Sequence, residues 1–264
     1  MASDRFLSGR VVLVTGASRG IGEAIARRFA LDGAAVGVTA RTVEEGDHRF
    51  AGSITSTVQS IREAHGTAIA VPADLSRAED RERVVETVRE ELGPVDVLVN
   101  NAAITYFAPV SDFDPRRWQL MFDVQVLAPL QLSQLVVPGM RSSGAGWILN
   151  VSSRAAIHPQ GPPYRQGGGT VYGMCKAALE RFTTGLASEL YDDGIAVNAL
   201  SPSGLVATPG VRYHGLDKRV PTEHHEPVER MAEAAFLLCS RDPRELTGRI
   251  TYSQELLREF GAGP

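Results

Sequence analysis

Apolar residues arrive along this chain in short unbroken blocks, separated by longer stretches in which they recur every three to four positions. The blocks at 11–14, 35–39, 68–71, 95–99, 146–151 and 195–200 have the continuous pattern of strands buried on both faces. A seventh strand is expected at 248–252. Between them, helical periodicity predicts helices over 21–32, 53–65, 76–92, 115–140, 172–192 and 228–240. Gly33 and Gly66 close the first two, and Gly93-Pro94 breaks the third. Pro129 interrupts the long helix opened by Pro115, and a kink is expected there. The strict alternation of strand and helix predicts an α/β, Rossmann-type doubly wound parallel sheet in one domain over 1–264, with no repeat or linker. Two polar stretches are longer than ordinary connections. One follows the second strand, 41–51. The other, 201–227, is rich in Pro, Gly and His, and is read as a binding loop or lid at about 203–226.

Glycines then bring chemistry into the picture. The first strand runs straight into Thr15-Gly-Ala-Ser-Arg-Gly-Ile-Gly22, and a helix follows. In a right-handed βαβ unit this turn stands at the carboxyl edge of the sheet. Gly16 permits the sharp turn, while Gly20 and Gly22 permit close approach of backbone to phosphate and of helix to strand. A pyrophosphate there meets the free N–H groups and positive end of the helix. The end of the second strand discriminates between nicotinamide cofactors: an acid suits the ribose hydroxyl of NAD, an arginine the 2′-phosphate of NADP. Arg41 stands there, with Arg19 in the turn, and two guanidiniums suit a phosphate dianion. The pattern therefore favours NADP(H). NAD(H) is the alternative, because Glu44, Glu45 and Asp47 follow closely. Asp74, at the third strand's end, suits either the adenine amino group or the cap of the next helix.

Tyr172 and Lys176 form an i,i+4 pair on one helix face. A nearby ammonium stabilises a phenolate, so this lysine is expected to lower the tyrosine's pKa and fit it for proton transfer. Composition changes little. The net charge of -4 gives no reason to expect nucleic acid or anionic lipid as a partner. Cys175 and Cys239 make no disulfide or metal framework, which fits a reducing, cytoplasmic setting. The first ten residues lack the apolar core of a signal peptide, and no uninterrupted apolar run is long enough to span a bilayer. Tyr213-His214 and His224-His225 lack further ligands at metal spacing, so no metal is expected.

Taken together, Thr15-Gly-x-x-x-Gly-x-Gly22, Asp74-Leu75, Asn100-Asn-Ala102, Ser153, Tyr172-x-x-x-Lys176, Asn198 and Pro202 resemble the short-chain dehydrogenases/reductases over about residues 9–257. The stretch Ala51-Gly-Ser-Ile54 and the ending Leu246-Thr-Gly-Arg-Ile250 look closer to the hydroxysteroid dehydrogenase-like branch. The resemblance implies that Tyr172 is the general acid or base and that Ser153 anchors the substrate oxygen, with Ser152 the competing assignment. It implies that Lys176 binds the nicotinamide ribose. Cofactor contacts are implied at Gly16, Ser18, Arg19, Gly20, Ile21 and Gly22 in the turn, and at Arg41, Asp74 and Leu75. Further contacts are implied at Asn101 and Ala102, at Tyr172 and Lys176, and at Pro202 and Thr208. A small-molecule carbonyl or alcohol is the implied substrate, and a homo-oligomer, dimer or tetramer, the implied assembly.

Three departures stand out. Gln125 occupies the place of the family's relay asparagine, where it could hold the relay water or displace it. Ala103 replaces a glycine, whose added methyl is expected to crowd the cofactor. The loop 159–170 is enlarged and is expected to border the substrate pocket, with His158, Tyr164 and Arg165 in it. A catalytically silent NADP(H)-binding protein is the reading from another class. Epimerase or dehydratase chemistry on this fold fits less well, since such relatives often carry a larger C-terminal substrate domain.

Overall fold

A computed structural model of the protein describes residues 6–162 and 168–261. β1 (Val11–Thr15), α1 (Gly20–Leu31) and β2 (Ala35–Ala40) form the first unit. α2 (Ile54–Glu63), β3 (Thr67–Pro72), α3 (Ala78–Glu91) and β4 (Val97–Asn100) complete the first half. The second half has α4 (Pro115–Phe122), a π-helical turn (Asp123–Leu127), α5 (Ala128–Ser143), β5 (Gly146–Val151), α6 (Thr170–Leu190) and β6 (Ile195–Ser201). It ends with α7 (Pro209–Tyr213), α8 (Val228–Ser240), β7 (Ile250–Tyr252) and α9 (Ser253–Glu259). The strands form one sheet in the order β3-β2-β1-β4-β5-β6-β7, and every pairing is parallel. This is the doubly wound sheet expected.

Alternate residues of one strand feed opposite cores. Val12 and Val14 of β1 join the cluster under α1 and α8, while Val11 and Leu13 join the one under α3 and α5. Side chains in a strand alternate between faces, and both faces here are covered by helices. That is why the strands read as unbroken apolar runs. The strand order reverses between β1 and β4, so their carboxyl ends flank the crevice where ligands bind in such sheets.

Two local expectations are corrected. The kink at Pro129 is resolved as the π turn immediately before it, with Pro129 in the first turn of α5. Proline has no N–H to give the carbonyl four residues back, so the ladder widens instead of continuing. By length and composition the helical run Pro115–Ser143 is apolar enough to cross a membrane, although polar residues interrupt it throughout. In the fold its Leu132, Val136 and Met140 pack with Val84 and Val88 of α3 and Ile148 of β5. The stretch 201–227 is also more regular than expected, holding α7, a short 3-10 turn (Thr222–His224) and a parallel bridge between Leu205 and His225.

Candidate active site

The glycine turn is locked against the end of β4. Gly16 and Gly20 have φ of 64° and 60°, the left-handed region that favours glycine. A Cβ on Gly16 would stand 2.7 Å from the Ala102 Cα, and one on Gly22 would stand 2.4 Å from Asn101 Nδ2. Asn101 Nδ2 donates to the carbonyls of Thr15 at 2.9 Å and Gly16 at 3.1 Å. Thr15, fully buried, accepts from the N–H groups of Asn101 at 3.0 Å and Ala102 at 3.1 Å, and donates to the Val99 carbonyl. Asn101 and Ala102 thus form the wall of the turn. Ala103 points to solvent.

The groups around this turn fit a dinucleotide. No side chain caps the N-terminus of α1, so its first N–H groups are available to an anion. Arg19, at the N-cap, has a buried Nε with no partner. Ser18 is buried, and Ile21 packs on the core of the sheet. Thr208 reaches the turn from the far side: a Cβ on Gly20 would lie 3.1 Å from its Cγ2. Pro202 follows β6 directly. Arg41, just past β2, is exposed. Asp74 is used locally, its Oδ1 accepting from the N–H and hydroxyl of Ser76. The N-cap of α3 is Arg77, so Asp74 turns the chain ahead of the helix instead of capping it. Leu75 is buried.

At the carboxyl end of β5 the two serines separate in role. Ser152 is buried and donates to Glu180 Oε1 at 2.7 Å. The Ser153 hydroxyl stands beside the Tyr172 phenol and accepts from the Ala155 N–H at 3.2 Å, capping a short 3-10 turn. Tyr172 lies in the first turn of α6, one turn before Lys176. Lys176 is 3% exposed and donates to the Val151 carbonyl at 2.8 Å. Its Nζ stands 5.8 Å from the centre of the Tyr172 ring.

Electrostatics correct one expectation. Burial raises the Tyr172 phenol above its ordinary value, and the Ser153 hydrogen bond offsets this in part. The lysine does not lower it as i,i+4 reasoning predicts, because removal from water disfavours a phenolate. Burial also brings Lys176 down to about 8, opposed in part by the neighbouring Cys175 and Glu180. Gln125 sits in the π turn, 1% exposed; its Nε2 donates to the Ile104 carbonyl at 3.0 Å and its Oε1 is buried without a partner.

Nothing in the residue spacing announces a row of rings that runs to Tyr172. His48 meets Phe50 at 4.7 Å between centroids, Phe50 meets Tyr213 at 5.3 Å, and Tyr213 meets His214 at 5.1 Å. His214 then meets Phe107 at 5.1 Å, and Phe107 meets Tyr172 at 6.1 Å. Arg49 donates to the Tyr213 hydroxyl at 2.8 Å. The row joins the long loop after β2 to Tyr172 by way of α7. His225 donates to, and is held by, the Val220 carbonyl at 3.0 Å. His158 is exposed, and Tyr164 and Arg165 lie outside the described residues.

The sequence profile of the family described as short chain dehydrogenase matches residues 10–218. The chain is 35% identical to human (Homo sapiens) dehydrogenase/reductase SDR family member 4, covering 92% of this chain and 85% of that protein. L-sorbose reductase from Gluconobacter frateurii, solved with NADPH and L-sorbose, superposes with a TM-score of 0.80 at 30% identity, covering 95% of this chain and 97% of that one. A short chain dehydrogenase from Burkholderia cenocepacia in complex with NADP superposes with a TM-score of 0.78 at 29% identity, covering 93% and 96%.

Proposed function

The chain belongs to the short-chain dehydrogenase/reductase family, and from that premise we propose that it interconverts a carbonyl and an alcohol on a small or medium organic molecule, with NADP(H) preferred and Tyr172 as general acid or base. The observation that carries this reading is the grouping of Ser153 beside the Tyr172 phenol, one helical turn before the buried Lys176. When bound, the nicotinamide supplies the hydride exchange. The protein's residues do the rest. Ser153 holds the substrate oxygen within reach of the phenol. Tyr172, kept protonated by its burial, gives its proton to that oxygen in reduction and takes one back in oxidation. Lys176, fixed on the Val151 carbonyl, would hold the ribose hydroxyls of the bound cofactor. Arg19 and Arg41 support the preference for a 2′-phosphate. The 203–226 segment acts as the lid over the substrate.

The test is turnover across a panel of aldehydes, ketones and alcohols. Wild type oxidises NADPH with at least one carbonyl, and Tyr172→Phe abolishes this while NADPH still binds by fluorescence titration. Binding without turnover across the whole panel would overturn the reading in favour of a silent cofactor binder.

A further inference from the structure

We propose that His48, in the enlarged loop after β2, is a specificity-determining residue for the 2′-phosphate of NADP(H): it holds Arg19 through Nδ1 and offers its Nε2–H to the phosphate. The inference rests on the NADP(H) reading above. Arg19 Nη1 lies 3.2 Å from His48 Nδ1, and the Phe50 N–H donates to the same nitrogen at 3.2 Å. A guanidinium and a backbone N–H can only donate. Nδ1 is therefore the acceptor, and the neutral ring carries its proton on Nε2. Arg19 is held from its other side by the Gly52 carbonyl, which accepts from Nη2 at 2.5 Å.

The charges around the ring favour this neutral form. Burial and the guanidiniums of Arg19, Arg49 and Arg41 all hold His48 below its ordinary value. These come from the start of α1, from the loop itself and from the end of β2. The acids of the loop accept from nearby donors, and Glu45 also acts on the Arg19 guanidinium. Glu44 Oε1 accepts from the Thr55 hydroxyl, Glu45 Oε2 from the Gly52 N–H, and Asp47 Oδ2 from the N–H groups of Val43 and Glu44. Donors and positive charge are thus collected about one spot, and the buried Arg19 Nε has no partner. A phosphate dianion, with three acceptor oxygens, answers such a set. A ribose hydroxyl brings no charge and a single acceptor oxygen. His48 therefore contributes to NADP(H) binding and little to NAD(H) binding.

Wild type, His48→Ala and His48→Asn are titrated with NADPH and NADH by nicotinamide fluorescence, with circular dichroism to verify folding. Losing a hydrogen bond to a charged group weakens NADPH binding by about tenfold in His48→Ala, with NADH changed by less than about twofold. His48→Asn places an amide oxygen near the Nδ1 position, keeps Arg19 in place and recovers part of the loss. Equal weakening of NADPH and NADH in either variant would overturn the proposal, since it would show that His48 merely shapes the loop. Unchanged NADPH binding in His48→Ala would also overturn it. Wild type binding NADH as tightly as NADPH would instead sink the cofactor reading itself, an outcome distinguishable from the failure of His48 alone.

Discussion

Thr15→Val tests whether the crevice depends on one hydroxyl. Valine keeps the shape of threonine and deletes the oxygen. That oxygen accepts from the Asn101 and Ala102 N–H groups at 3.0 and 3.1 Å and donates to the Val99 carbonyl at 3.2 Å. Each buried N–H left without an acceptor costs about 1–3 kcal/mol. Two are orphaned, but Asn101 and Ala102 are only half-buried and water restores part of the loss, so the net cost is about 2–4 kcal/mol. For a chain of this size that lowers the thermal midpoint by roughly 5–15 °C. Thr15→Ser keeps all three bonds and loses one methyl, about 1 kcal/mol. Urea denaturation followed by circular dichroism separates the two variants. NADPH affinity falls with Thr15→Val as well, because Asn101 and Ala102 line the glycine turn. A valine variant within about 1 kcal/mol of the serine variant would refute the reasoning.

Two further outcomes follow from buried polar groups. Gln125→Met loses the bond to Ile104 and also removes the unpartnered Oε1; the opposing effects leave stability within about 1 kcal/mol of wild type, whereas Gln125→Ala leaves a cavity and costs about 2–3 kcal/mol. Equal losses in a urea titration would show that Oε1 is satisfied. Burial holds Lys176 at about 8 in the folded chain against 10.5 as the ordinary value. Between those values the unfolded chain binds a proton that the folded chain does not, so the lysine's cost is complete below pH 8 and shrinks as pH rises toward 10.5. Wild-type stability minus that of Lys176→Met accordingly rises across this window, and a flat difference curve would count against burial as the cause.

The sheet was legible because strands buried on both faces leave an unmistakable trace, as in Val11 to Val14. The glycine turn was legible for a related reason: Gly16 is demanded by the Ala102 backbone of the opposite wall, and Gly22 by the Asn101 side chain and the Gly16 carbonyl. What escaped depends on partners distant in sequence. The N–H groups bound by Thr15 come from 86 and 87 residues away, and nothing near Thr15 announces them. The rings from His48 to Tyr172 come from separate loops that share no periodicity. The direction of the Tyr172 shift was misjudged because i,i+4 spacing shows a neighbour's charge but not the loss of water. Asp74 was ambiguous between a cap and a ligand, and the structure gives it a third employment, the turn at Ser76.

The π turn at Asp123–Leu127 has a consequence for chain length. Such a turn accommodates one residue more than an α-helix would over the same path. Deleting a single residue there would restore a regular helix with little local strain. Because the turn absorbs that residue over the same path, α4 would keep its facing, whereas the same deletion inside a regular helix swings one side by about 100° about the axis. Met121, buried with Val171 and Cys175 in the cluster against which Tyr172 packs, would stay there. The π turn thus marks a point along this rod where a change of length is absorbed, while a deletion within α5 would turn the two halves of the rod out of phase.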